Sequence, residues 1–159
     1  MLRVPTNYIP KSLSRKNKKL QRSELKKSRK AYRKKQYYTR KKLPGYKSRR
    51  TRWAKRASKI YNVPDMKDVG MSELSSLTKC SVKSLNNIIK KGVGAYYSAG
   101  SRPNQTAHSW GIARLYSAIS GGPASKVDMH LLKEGCKKNS RALRLAKKEK
   151  RKAAVVVSK

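Results

Sequence analysis

The segment Gly92-Val93-Gly94-Ala95-Tyr96-Tyr97-Ser98-Ala99-Gly100-Ser101-Arg102-Pro103-Asn104-Gln105-Thr106 runs straight into Ala107-His108-Ser109-Trp110-Gly111-Ile112-Ala113-Arg114-Leu115-Tyr116. It lies in the one part of the chain that lysine and arginine do not dominate. It also gathers residues with strong geometric demands. Three glycines permit backbone angles that other residues resist, and Pro103 fixes one. Beside two tyrosines and a tryptophan, that mixture predicts a shaped loop closed off from the preceding helix by Gly92. Gly94, Tyr96, Tyr97, Ser101, Arg102, Asn104, Gln105, Trp110 and Arg114 are its candidate docking residues. Ser101–Thr106 also admits two roles. Its short polar side chains can satisfy local backbone groups, or a helix start and an arginine can receive an anion or an acidic peptide.

Working outward, the flanking segments read as helices. On the N-terminal side, Ser72 can cap a short helix carrying Leu74 and Leu77. After a break at Thr78-Lys79-Cys80, Ser81 caps a second helix with Val82, Leu85, Ile88 and Ile89 on one face. The pair is spaced like a helix-turn-helix, with Lys83, Asn86, Asn87 and Lys90 projecting, although such pairs are also common packing units. On the C-terminal side, Ile112, Leu115, Tyr116 and Ile119 form a helical stripe that Gly121-Gly122 stops. Pro123 opens a further helix, with Ser125 and Asp128 spaced as a capping box and Val127, Leu131 and Leu132 as its apolar face. A basic helix with Leu143 and Leu145 follows and ends in Ala153–Val157. The fold class expected is mainly α: a small helical central domain around a Gly/Pro-containing loop, flanked by extended or helical basic arms.

Charge draws the boundaries. The 159 residues carry 43 Lys/Arg against seven Asp/Glu, a formal charge of +36. Residues 11–59 hold 23 bases against one acid, Glu24, whereas residues 60–136 hold nine against five. The division expected is therefore a basic N-terminal arm (1–59), a compact helical domain (60–136) and a basic C-terminal helix or tail (137–159). Within the first arm, Pro5 and Pro10 mark an extended lead-in. A helix from Ser12 or Ser14 to about Lys35 then carries only sparse apolar lines (Leu13, Leu20, Leu25, Tyr32), too narrow for a core. Trp53, Ala57 and Ile60 share one face of another helix. The residues expected to meet a partner or polyanion are Lys26, Lys27, Arg29, Lys30, Arg33, Lys34, Lys35, Arg40, Lys41, Lys42, Arg49, Arg50 and Arg52, with Lys147 and Lys148 at the other end. Tyr32, Tyr37, Tyr38, Tyr46 and Trp53 are interleaved with these bases and can either stack on nucleobases or pack under arginines.

A protein of this charge calls for a polyanionic or acidic partner. No catalytic constellation is present. His108 and His130 lack a nucleophile signature, and Gly92-Val93-Gly94 is not followed by a phosphate-loop lysine and serine. The expectation is a protein that is not an enzyme and needs no cofactor. Cys80, His108, His130 and Cys136 lack the close ligand pairs of a zinc site, so no metal is expected. The two cysteines are too few for a disulfide framework and read as ordinary reduced, buried thiols. No apolar run serves as a signal peptide or approaches membrane-spanning length, which fits a reduced intracellular site of synthesis.

Several motifs recur together. They are Ser28-Arg29-Lys30-Ala31-Tyr32, Tyr37-Tyr38-Thr39-Arg40-Lys41-Lys42, Gly94-Ala95-Tyr96-Tyr97-Ser98, Gly100–Thr106, Ser109-Trp110-Gly111-Ile112-Ala113-Arg114-Leu115 and Gly121-Gly122. Through them the chain resembles a family of small, highly basic proteins encoded by large DNA viruses that infect algae and amoebae. The resemblance carries no catalytic residues. It implies a viral structural protein, assembled into the virion in the infected host cell and not secreted. The role that follows is a minor capsid (cement or scaffold) protein linking capsomers on the inner side of an icosahedral shell. Its partners would be the major capsid protein and other minor capsid proteins. The alternative is a nucleic-acid-binding protein, condensing a genome or binding RNA as ribosomal proteins do, since counterion release drives such chains onto DNA or RNA. An anionic inner membrane ranks behind both, because the basic segments lack a wide apolar face.

Overall fold

The computed structural model describes residues 3–157. The chain is mainly α: eight helices and no strand occupy the described residues. In chain order they are α1 (Arg15–Arg33), α2 (Arg52–Tyr61), α3 (Met71–Thr78), α4 (Val82–Ser98), α5 (Ala107–Ile119), α6 (Pro123–Val127), α7 (Met129–Gly135) and α8 (Arg141–Val157). Short polar side chains set the starts, each accepting a backbone N–H of the first turn. Ser14 receives Asn17 N–H, Ser81 receives Ser84 N–H and Ser140 receives Leu143 N–H. Thr106 and Ser109 satisfy each other's N–H reciprocally at 3.0 Å. Among the described residues, no helix is long and apolar enough to cross a membrane.

The chain forms two compact units, and they do not follow the charge boundaries. The first comprises the residues up to Arg49 together with Lys91–Trp110; the second comprises Arg50–Lys90 and Gly111 onward. The expected free N-terminal arm is thus absent as such. Residues 3–49 fold with the Gly/Pro segment, and the remainder, α2, folds with the helices beyond Gly111. The physical reason lies in α1. Its buried line is Gln21, Glu24, Leu25 and Ser28, at i, i+3, i+4 and i+7. Leu20 and Tyr32, which an apolar reading would bury, face solvent. A helix can present a stripe to a core with polar residues if each finds a hydrogen-bond partner, and here they do.

The second unit has an apolar interior built from Leu74, Leu85, Ile88, Leu115, Ala118, Ile119, Leu132, Ala142 and Ala146. Helices α6, α7 and α8 pack on one another, so the C-terminal basic segment is part of this core through Ala142, Leu143 and Ala146, while Arg141 and Arg144 face solvent. Pro123–Gly135 is not one helix. It breaks at Asp128, and Ser125 donates to the Gly122 carbonyl instead of forming a capping box. Val127, expected on the buried face, is exposed. Tyr61 donates from its hydroxyl to the Ile119 carbonyl at 2.7 Å, and Tyr116 to that of Met66 at 3.1 Å.

The cysteines correct the expectation of free thiols. Cys80 and Cys136 form a disulfide. It joins the α3–α4 turn to the α7–α8 turn, flanked by backbone bonds from Ser81 N–H to Gly135 O (2.7 Å) and from Lys137 N–H to Lys79 O (2.9 Å). Gly135 is required here: a Cβ on it would lie 2.1 Å from the Cβ of Ser84.

Candidate polyanion-binding site

Most of the cations expected to meet a partner are on the surface. Lys26, Lys27, Lys30, Arg33, Lys34 and Lys35 are exposed along and just beyond α1, as are Lys41, Lys42 and Arg49 in the first unit. Arg52, Lys147 and Lys148 are exposed in the second. Some are engaged. Arg29 is half-buried and donates to the Arg3 carbonyl. Arg50 makes an exposed ion pair with Asp65 (3.1 Å), and Arg52 lies over the Trp53 ring at 4.5 Å. Glu24 and Asp128 are buried and spent internally. Glu24 accepts from Lys41 N–H and the Tyr38 hydroxyl, both at 2.9 Å, and from Lys27 at 3.3 Å. Burial pushes its pKa up, but those hydrogen bonds more than reverse it, and the carboxylate is held below the ordinary glutamate range.

Arg40 is the exception. It is only 8 % exposed and sits at the centre of the first unit. Its guanidinium donates to Ser28 Oγ (2.8 Å), the Tyr96 carbonyl (2.8 Å) and Ser101 Oγ (2.7 Å), and it stacks on the Tyr96 ring at 3.7 Å. It is a structural cation and not a partner-binding one. Burial lowers its pKa, with Tyr96, Tyr97 and Glu24 acting in the opposite direction. A planar fork of donors over an aromatic face is the arrangement that makes arginine, unlike lysine, tolerable in an interior.

The Gly/Pro segment also divides differently from its expected reading. α4 runs through Gly92 to Ser98, so Gly94 is helical, and nothing lies within 4 Å of where its Cβ would be. The irregular part is Ala99–Thr106. Gly100 needs its φ of +117°, and a Cβ there would meet Leu25 at 2.6 Å. Ser101 ties this turn to both Arg40 and Gln21; the latter's amide donates to the carbonyls of Ser101 (3.3 Å) and Tyr8 (3.2 Å). Asn104, at φ 60°, accepts from Leu43 N–H (2.7 Å) and donates to the carbonyls of Leu43 (3.0 Å) and Tyr46 (2.7 Å). Gln105 bonds to Ser48 and Ser109. Trp110 meets Tyr8 edge-on at 5.8 Å. Arg102 alone of the turn's long side chains is exposed. Arg114 is not a docking residue; in the second unit it grips the fully buried Asp128 through two hydrogen bonds of 2.8 Å.

Two surface features of the first unit remain. Tyr32, Tyr37, Tyr97 and Tyr96 form a run of ring contacts with centroids 6.3, 5.0 and 5.0 Å apart, and Tyr37, which touches both Tyr32 and Tyr97, is 73 % exposed. A cavity of about 840 Å³ lies between the start of α1 and the turn around Gly45. In the second unit, α3 and α4 keep the helix-turn-helix spacing. Lys83, Asn86 and Lys90 are exposed and Asn87 is half-buried.

A family model matches residues 5–151. The chain belongs to that family, described as a family of unknown function (DUF5824). The match reaches across both units. No curated protein and no solved structure matches the chain.

The residues that composition missed in this family member are Gln21, Glu24 and Ser28. A signal was present. Glu24 is the lone acid among 23 bases in residues 11–59, and a solitary opposite charge invites the question of what it neutralises.

Proposed function

We propose that the protein is a structural, non-enzymatic component of the virion of a large DNA virus: a minor capsid protein that links capsomers on the inner side of the shell. One observation carries this reading. The exposed cations are divided between two compact units, each with its own surface set: Lys26, Lys30 and Arg33 in one, Lys147 and Lys148 in the other. A chain with two cationic bodies can hold two acidic neighbours at once, and joined sites gain avidity without any new contact. The cations stand on folded helices, so docking does not require long arms to become ordered first. The sequence resemblance to basic proteins of large DNA viruses supports the viral setting, with the major capsid protein and other minor capsid proteins as partners. Controlled disruption of virions tests it: the protein should leave with shell fragments. Recovery solely with nuclease-released genome would overturn the assignment.

The second reading is nucleic-acid binding, and the tyrosine run favours it. An exposed ring at Tyr37, beside Lys34, Lys35, Lys41 and Lys42, is the combination that stacks on bases while cations track the backbone. Gel shifts against salt separate the two readings. A dedicated binder retains DNA or RNA near ~0.15 M salt, where diffuse attraction is screened.

A further inference from the structure

The cavity of the first unit is unused by either reading. Three cations, Lys47, Arg49 and Arg102, line it, and no carboxylate does. Among its other walls are the amides of Asn7 and Asn17 and the half-buried ring of Tyr46. Those walls are fixed in advance. Asn104 clamps the Leu43–Tyr46 turn through three hydrogen bonds. Ser14 caps the helix that carries Asn17, and Gln21 fastens the backbone at Tyr8 to the backbone at Ser101. The Ser101–Thr106 motif therefore does two things for this cavity: it holds one wall in place and supplies Arg102.

The lining names a ligand class. The cations ask for an anion. The aromatic face and amide groups ask for a flat, polar body attached to it. A volume of about 840 Å³ falls within the usual range for small-molecule sites, roughly 300–1,000 Å³. A bare carboxylate or phosphate would leave most of it empty. We propose that this cavity is a nucleotide site: Lys47, Arg49 and Arg102 hold the phosphate, Tyr46 supports the base, and Asn7 and Asn17 meet its polar edge. The proposal goes beyond the shell assignment and stands or falls separately from it.

The test is calorimetric titration of the full chain with adenosine monophosphate near ~0.15 M salt. Inorganic phosphate and anionic phospholipid vesicles form separate arms. Saturable binding at one equivalent is expected. Arg49→Ala and Arg102→Ala should each weaken it about tenfold, the scale of one charge-assisted hydrogen bond. Tyr46→Leu should weaken it while Tyr46→Phe retains it. Lys147→Ala combined with Lys148→Ala, in the other unit, should leave it unchanged. Arg49 and Arg102 are exposed, and circular dichroism of each variant establishes that it still folds. The proposal fails if no saturable binding occurs, or if the Lys147/Lys148 variant loses as much as the cavity variants. It also fails if inorganic phosphate binds as tightly as the nucleotide. Cavity-dependent binding of vesicles that the nucleotide does not displace would assign the site to a lipid headgroup and overturn it equally.

Discussion

The two units carry the same kind of surface and opposite kinds of interior. In the second, leucine, isoleucine and alanine fill the core, and a disulfide and one buried ion pair are added to it. In the first, Leu25, Leu43 and Tyr96 are buried beside Gln21, Glu24, Ser28, Arg40 and Ser101. An apolar core is forgiving, because any side chain of similar volume removes similar area from water. A polar core is not. Each buried group must find its partner, and the loss of one partner strands the others. The first unit should therefore be the more brittle under single substitutions, and the second the more brittle under reduction.

Arg40→Ala puts that contrast to its hardest test. It strands three acceptors and empties the space over the Tyr96 ring, at a cost of ~3–5 kcal/mol. Trp110, observed by fluorescence in a Trp53→Phe background, should report the loss; Trp53 in a Trp110→Phe background should report little. Equal shifts at both tryptophans would mean that the units unfold as one, and the contrast would dissolve. Replacing Cys80 and Cys136 by serine should do the reverse, costing the second unit ~2–4 kcal/mol, with denaturation at Trp53 as the readout. A Trp110 transition that moved as far would count against separate interiors.

Gly100→Ala forces a β-carbon onto Leu25 and a side chain into a left-handed conformation, and should cost the first unit ~1–3 kcal/mol. Glu24→Gln is smaller, about 1–2 kcal/mol at neutral pH, but carries a pH signature. The folded state holds this carboxylate below its ordinary range. Its contribution is therefore complete above the unfolded pKa of about 4.3 and disappears as pH falls through the lower folded value. Wild-type Trp110 stability should drop on acidification, and the Gln variant should lose that component. The smallest effect has the opposite sign. Gly94→Ala, in mid-helix with open space around it, should stabilise by ~0.5–1 kcal/mol, visible as a small rise in the melting temperature. A destabilised Gly94→Ala protein would show that this glycine has a packing role.

The legibility of the chain follows the same divide. The Leu74/Leu85/Ile88 and Leu115/Ile119 stripes and the Ser14 and Ser81 caps could be anticipated from spacing and residue type, whereas the partners of Asn104, Leu43 and Tyr46, could not. Arg40 was placed with the surface cations because a count of bases cannot tell which guanidinium will find Ser28, Tyr96 and Ser101 around it. Arg114 was grouped with the loop because it follows the loop in sequence, whereas its partner Asp128 lies on the far side of α5. Gly92 looked like a helix terminator and Gly94 like part of a loop, yet α4 continues through both.

By itself the sequence determined that the chain is mainly helical, where several of the helices begin, and that it carries a formal charge of +36. Those properties are local or additive: periodicity, capping and net charge. Only the tertiary structure decided that residues 3–49 fold together with Lys91–Trp110, that Cys80 meets Cys136, and that Arg40, alone among the cations of the described residues, is buried. The reason is that a buried polar group is stabilised by particular partners far along the chain, and no local pattern records who they are. The Gly/Pro segment, expected to be a loop from Gly92 onward, is a helix end followed by a clamp at Ser101–Thr106 that ties Gln21, Arg40 and the Leu43–Tyr46 turn together.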